Sequence, residues 1–321
     1  MVVVTAIQPE VRERAPATPE QAADGENLYL LGRPTLRQFM QYVRGHAVNA
    51  PGNGALRDQW RAARAVVETL EREESGAADD PPMGKLGPEY EPLLLEFFKD
   101  PLVRHGFNTV PTDIALVELD RLVIYQKHID LVYARQLERR LGPAPDRDVV
   151  FRTCLPYDHP HPPVKVSRLR SGGFVVMSPS NDLRSLGPMP LGPRHVSGYP
   201  SRGSLVRVLG IGVGFGVNFL NAVYAERRLI LNNGSHRAYA LRKLGVTHVP
   251  CIVQHVSSRD ELEIVASDAV RRDPDNYLKH PRPAMLRDYF DPRLCAVMPV
   301  QRRLRQVTVR FQVEVNDVPA L

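Results

Sequence analysis

The sequence predicts an α+β protein: a helical N-terminal part followed by a mixed sheet. Apolar residues recur at helical spacing in two segments of the first hundred residues. From Ala115 onward, short apolar or alternating runs bounded by turn residues replace them. Residues 228–254 read as strand, turn, helix and strand in succession.

The chain has 321 residues, 43% of them apolar and 24% charged, which suits a soluble globular protein of one large or two smaller units. No apolar run approaches the ~18 residues of a membrane span, and the apolar start Met1–Thr5 is too short for a signal peptide. Cys154, Cys251 and Cys295 are odd in number and lack a CxxC pair. That argues against a disulfide framework or zinc ribbon and suits a reducing, cytoplasmic location. The net charge of +6 favours anionic partners, weakly, because 42 basic and 36 acidic residues are spread along the chain.

Residues 1–27 mix Pro, Ala, Glu and Gln without periodicity and read as a flexible leader. In the helical region, 28–110, Thr35 can cap a helix reaching His46, with Leu36, Phe39, Met40 and Val43 on one face. Leu56, Trp60, Ala63, Val67 and Leu70 mark a second helix, and residues 91–100 a third. An α+β domain is expected over 111–321. It begins with a strand at 116–124 and a helix at 129–141, followed by a Pro/Gly/Ser-rich insertion at 142–203 with short strands such as 174–177. Strands are expected at 204–213, 217–224 and 228–231, the last two joined by a hairpin at Glu226-Arg227. Ser235 can cap a helix stopped by Gly245, a buried strand follows at 249–254, and Ser258 with Glu261 forms a capping box. Strict alternation from Val307 to Val315 predicts a half-buried C-terminal strand extension.

The chemistry concentrates at Asn233-Gly234-Ser235-His236-Arg237. A helix N-terminus has unpaired N–H groups and the positive end of the dipole, so it attracts anions. Gly234 removes a side chain where an anion must approach, Ser235 offers a hydroxyl, His236 an imidazole and Arg237 a planar fork suited to phosphate. The alternative is plain: a cap, a turn glycine and a surface arginine.

This stretch, with its Gly-x-x-Arg turn before a helix, resembles the core of the ParB/sulfiredoxin superfamily. The likeness covers 231–245 and 248–253, and Val117–Leu122 resembles the opening strand of ParB-like domains. The resemblance implies a ParB-like domain, covering about 115–141 and 204–254, that binds a nucleotide or another phosphorylated ligand. ATP or CTP with Mg²⁺ is the implied cofactor. Sulfiredoxins place a cysteine where Ser235 stands, so their chemistry is not expected here. ParB proteins have Gly-Glu-Arg-Arg and bind CTP. Free-serine kinases of the superfamily have Asp-Gly-x-His-Arg, which Asn233–Arg237 resembles except for the Asn. A phosphotransferase of that kind would use His236 and a carboxylate, for which Glu118 and Asp120 are candidates. Arg237→Ala would then abolish nucleotide binding and leave stability nearly unchanged. The alternatives are a DNA-binding regulatory or partition-type module, and a non-catalytic scaffold that keeps the fold.

Other motifs carry less. Gly210, Gly212, Gly214 and Gly216 fit neither a Rossmann nor a Walker pattern and suggest a strand approached closely by another backbone, or a lid. Asp158-His159-Pro160-His161 lacks the further ligands a metal needs and reads as a surface loop. Arg302, Arg303, Arg305 and Arg310 read as a charged edge that blocks strand pairing, because no aromatic is interleaved with them for bases to stack on.

Overall fold

A computed structural model describes residues 24–159, 161–170, 172–180, 182–192 and 207–317. The leader up to residue 23, Pro160 and the end of the long insertion lie outside these. The fold is α+β. In chain order it begins with strand β1 (Gly25–Leu30), helices α1 (Leu36–His46) and α2 (Asn53–Glu73), β2 (Met83–Lys85), α3 (Glu91–Phe97) and α4 (Pro101–Gly106). Next come β3 (Thr112–Glu118), β4 (His128–Asp130), α5 (Leu131–Leu141), α6 (Arg147–Cys154), β5 (Lys165–Arg168), β6 (Phe174–Ser178), β7 (Arg184–Leu191) and β8 (Val208–Gly214). The chain continues through β9 (Asn221–Ala225), β10 (Arg228–Asn233), α7 (Ser235–Lys243), β11 (His248–His255), α8 (Arg259–Val265), α9 (Asp268–Arg272) and α10 (Asp275–Leu278), and ends with β12 (Cys295–Val300) and β13 (Arg305–Val309).

Local chemistry explains the first helices. Thr35 accepts from the Gln38 amide while the Gln38 side chain accepts from the Thr35 amide, a reciprocal cap that starts α1. Its Phe39 and Val43 pack against Leu56 and Ala63 of α2. Gly32 lets the exit of β1 lie on α2: its φ is +71°, and a Cβ there would stand 2.7 Å from the Ala63 carbonyl carbon.

A five-stranded mixed sheet, ordered β10-β9-β11-β3-β2, carries α7, and a second sheet is ordered β12-β1-β4. Alternate residues of β1 feed two cores. Leu28 and Leu30 join Phe97, Val117, Leu231 and Leu241, whereas Tyr29, and Leu31 just past the strand, join Phe39, Ala63 and Met298. The helical segment and the later sheet therefore share one core, with no gap in packing at residue 110.

Several expectations differ from this. The leader does not extend to residue 27, because Gly25, Glu26 and Asn27 pair with Val300, Pro299 and Met298. The region 28–110 also contains strands, β2 among them. The strand expected at 116–124 ends at Glu118 and gives way to a 3-10 turn, Leu119–Arg121. The insertion contains helix α6, capped by Asp146 through the Val149 amide. The C-terminal alternation makes a strand only to Val309, opposite Phe174, where its partner strand begins; Val313 and Val315 beyond it are exposed. Gly210, Gly212 and Gly214 lie on β8, where the side chains of Leu191, Met189 and Leu186 of β7 fold over them, and Gly216 just beyond lies against the Arg184 side chain; side chains, not another backbone, make the close approach.

Candidate functional site: the Gly234 turn

The hairpin at Glu226-Arg227, with φ of 44° and 69°, returns β9 into β10, and β10 delivers the chain to Gly234. Gly234 is left-handed, at φ 101° and ψ 19°, and is itself the residue preceding α7; Ser235 is the first helical residue, not the cap. A Cβ at Gly234 would stand 3.1 Å from Leu220 Cγ and 3.2 Å from Arg237 Nη2. Glycine is therefore required both by conformation and by space. Asn232 anchors one side, donating to the Val265 carbonyl and accepting from the Ser267 amide, while Tyr125 donates to its carbonyl. Asn233 anchors the other side, its Nδ2 donating to the Val217 carbonyl at 3.0 Å. No side chain caps α7, so the first amides of the helix face the turn without an acceptor among the described residues.

Arg237 lies beneath this turn and is 6% exposed. Its Nη1 donates to three backbone carbonyls, Asn218 at 2.8 Å, Thr153 at 3.1 Å and Cys154 at 3.2 Å. Its Nη2, beside the Gly234 Cα, is buried with no partner. No carboxylate pairs with it among the described residues. Burial lowers its pKa, and the groups that oppose this are Cys154, Tyr133 and Cys251, none of them a carboxylate. A guanidinium stays charged even so. The result is a buried cation set against the positive end of a nine-residue helix. Asn221, which pairs with Asn233 across β9 and β10, adds a second buried orphan: its Nδ2 donates to Phe219, but its Oδ1 has no partner. Two of the five such atoms among the described residues thus border one turn.

His236 turns toward the protein. Its Nε2 accepts from the Asp130 amide at 3.0 Å, and Tyr133 meets its ring edge-on at 5.5 Å. A backbone N–H can only donate, so Nε2 is unprotonated and the ring proton sits on Nδ1. Burial, then Arg237, lower its pKa, while Asp130 raises it. His236 therefore docks α7 on β4 and α5, and only Nδ1 is left to donate to a ligand. His128 lies next to it, and burial together with His236 and His46 pushes its pKa down to about 4.

A histidine held neutral in the fold but protonated at ordinary pKa in the unfolded chain gives stability that is full above the unfolded pKa of 6.5 and lost as pH falls toward about 4. Between pH 7 and pH 5 this one group should cost about 2 kcal/mol. Urea midpoints at the two pH values should differ by that amount in the wild type and by clearly less in His128→Gln. An equal pH slope in both would show that His128 does not titrate this way.

The carboxylates expected beside the motif stand elsewhere. Asp120 Oδ1 accepts from Arg242 Nε at 2.7 Å, at the far end of α7 and about 10 Å along the helix from Ser235. Glu118 pairs with His248, four residues along β11 from Ile252, which lies opposite Asn221. At strand spacing that separation is about 13 Å. The structure thus brings together Asn233, Gly234, Ser235, His236 and Arg237, but neither Glu118 nor Asp120. The carboxylate that does approach is Asp130, whose Oδ1 caps α5 through the Tyr133 amide at 3.0 Å. Its position just before the helical run was the available signal. Asn221 had none, since only strand pairing places it.

Other places fit a ligand less well. His159 Nε2 lies 2.5 Å from Asp100, and His161 Nδ1 lies 3.1 Å from its neighbour's carbonyl, so the two histidines do not converge. A shallow concavity of about 240 Å³ lies along α2, and one of about 510 Å³ lies between α8 and α10. In the larger, Arg259 and Lys279 are already paired with Asp275, which leaves little field for a ligand. The turn, with unpaired donors and uncompensated positive charge, is the stronger candidate. No protein-family model, curated protein or solved structure matches the chain.

Proposed function

We propose that the chain binds a phosphorylated small molecule of the nucleotide class, with a phosphate over the first turn of α7. The observation that carries this reading is Arg237, a buried guanidinium with no carboxylate and a free Nη2, set at the positive end of a helix whose first amides are unpaired. An anion at the turn would satisfy those donors and offset the charge together. The resemblance of 231–245 to the ParB/sulfiredoxin core leads to the same ligand class, and membership of that superfamily is part of the proposal. ATP or CTP with Mg²⁺ are the nucleotides to try first. Phosphoryl transfer is a weaker extension, because Asp120 is held by Arg242 and Glu118 lies at the other end of α7. A second reading, a scaffold that keeps the fold without the ligand, is favoured by the three carbonyls that already hold Arg237 Nη1.

Ser235→Asp separates the two: its short carboxylate is held close to the first amides of α7, unlike the longer glutamate that ParB proteins carry at this position. A carboxylate in the first helical turn complements the dipole and should leave the melting temperature equal or slightly raised, by about 0.5 kcal/mol in stability. It would also repel an incoming phosphate. The wild type should gain thermal stability with Mg²⁺ and one of ATP, CTP, ADP or GTP, by about 2.7 kcal/mol at a hundredfold excess over Kd. The variant should lose that gain while remaining folded. No shift with any nucleotide, or an undiminished shift in the variant, would favour the scaffold.

A further inference from the structure

We propose that the three-stranded sheet β13-β6-β5 is a platform for single-stranded nucleic acid, separate from the Gly234 turn. The sheet is ordered with β6 in the middle, and its register places Arg168, Phe174 and Val309 in line across the three strands. Val166, Val176 and Val307 follow two residues along on the same face, with Arg305 beyond them opposite Ser178; Val176 and Ser178 are buried, so the open part of this face is the Phe174 end and the outer strands. Phe311, just past β13, meets Phe174 edge-to-face at 6.4 Å and 83°. Both rings are accessible, at 42% and 58% exposure. The arginines of the C-terminal segment had no aromatic among them in sequence; β6 brings one to their side.

Charge is segregated here. Residues 165–170, 174–178 and 305–310 contain Lys165, Arg168, Arg170, Arg305 and Arg310 and not one Asp or Glu. Arg184, Arg271 and Arg293 elsewhere are each held by a nearby aspartate, whereas none of these five joins an ion pair among the described residues; Arg168 and Arg305 share the Phe174 face, while Lys165, in line with Met177, lies on the other. Unpaired cations flanking exposed aromatic faces are the two components of single-strand binding: phosphates track the charge and unstacked bases lie on the rings. A duplex keeps its bases stacked internally and could use only the charge. Phe174 has Arg168 on one flank and Val309 on the other, with Phe311 against its ring, which sets an aromatic pair beside a guanidinium.

The test is fluorescence anisotropy of labelled oligo(dT) and oligo(U), a duplex of equal length, and sedimentation with phosphatidylserine vesicles, using the full chain. Single strands should bind at 50 mM salt and weaken about 50-fold by 200 mM, the slope expected for about four phosphate contacts. The double variant Phe174→Ala/Phe311→Ala should bind about tenfold more weakly with the slope unchanged. Arg168→Ala/Arg305→Ala should flatten the slope by about 1.4. All these side chains are exposed, so melting temperatures should stay at the wild-type value and confirm folding. Absence of single-strand binding at 50 mM salt, equal duplex binding that ignores the phenylalanines, or binding to vesicles alone would each overturn the proposal.

Discussion

Asp288→Ala is expected to lower the stability of the fold by about 3–5 kcal/mol, a large part of the ~5–15 kcal/mol that holds a typical domain together. Asp288 is 2% exposed and receives two buried cations. Arg282, 1% exposed, approaches it in a fork, Nη2 to Oδ1 at 2.6 Å and Nη1 to Oδ2 at 3.0 Å. Arg33 Nη2 adds a contact at 3.2 Å and the Met285 amide another at 3.1 Å. Glu74, at the end of α2, takes Arg282 Nε at 2.8 Å and also holds Arg287. Without Asp288, Glu74 is left to serve Arg282 alone and Arg33 loses its closest carboxylate. Breaking one member of a buried pair costs far more than the pair itself contributes, because a desolvated charge remains behind. Asp288→Asn keeps the shape and one acceptor, so its loss should be smaller. Urea unfolding at pH 7 measures both; a loss below about 1 kcal/mol for the alanine would mean that water enters and solvates the arginines. The network also has a positional role. It ties the exit of β1 and the end of α2 to residues 282–288, and Tyr289 next in the chain packs edge-on against Tyr239 of α7 at 6.1 Å.

What the sequence revealed was what local spacing and turn chemistry encode. Thr35 and Gln38 announce α1, Glu226-Arg227 announces the hairpin, and β10, the turn, α7 and β11 could be read in order because each succeeds the last within a few residues. What depended on distant partners was hidden. Gly25–Asn27 show no apolar alternation, and they form a strand only because β12, some 270 residues later, supplies the pairing. Val313 and Val315 show perfect alternation and form none, because β6 starts at Phe174 and offers nothing opposite them. The same division runs through the site. Gly234 was identifiable as a glycine that either admits an anion or makes the turn, and its left-handed φ is what the turn requires. That it, and not Ser235, precedes the helix was not legible, because serine is a good cap wherever the backbone is extended and here the backbone is left-handed. Glu118 and Asp120 looked close to the motif in a strand-like stretch, but α7 runs away from its own N-terminus toward them. Proximity to the segment was mistaken for proximity to its first turn.

Arg237→Ala should likewise destabilise the fold by about 3–5 kcal/mol, contrary to the expectation of near-neutrality for a phosphate-gripping arginine on the surface. Whether an arginine after a Gly-x-x turn points outward or inward is decided by what lies beneath the helix. Here the Thr153 and Cys154 carbonyls at the end of α6 and the Asn218 carbonyl before β9 converge on Nη1. Cys154 also accepts from the Leu220 amide and would remain satisfied, but Thr153 and Asn218 would lose a charge-assisted donor in a buried place. Each such loss costs about 1–3 kcal/mol, and the cavity left by the side chain adds to it. Removing an uncompensated buried charge works in the other direction, which is why the estimate stops short of the full sum. Arg237→Lys keeps the charge but replaces a planar fork with a single point, so it cannot face the carbonyls and the turn at once. It should lose less stability than the alanine and still lose most of the nucleotide-dependent thermal shift. Chemical denaturation of both variants without ligand, followed by the nucleotide panel on Arg237→Lys, gives the two readouts separately. If Arg237→Ala proves as stable as the wild type, the three carbonyls do not depend on the guanidinium. If Arg237→Lys keeps the full nucleotide shift, the free Nη2 is not what meets the phosphate, and the amides of α7 must hold it alone.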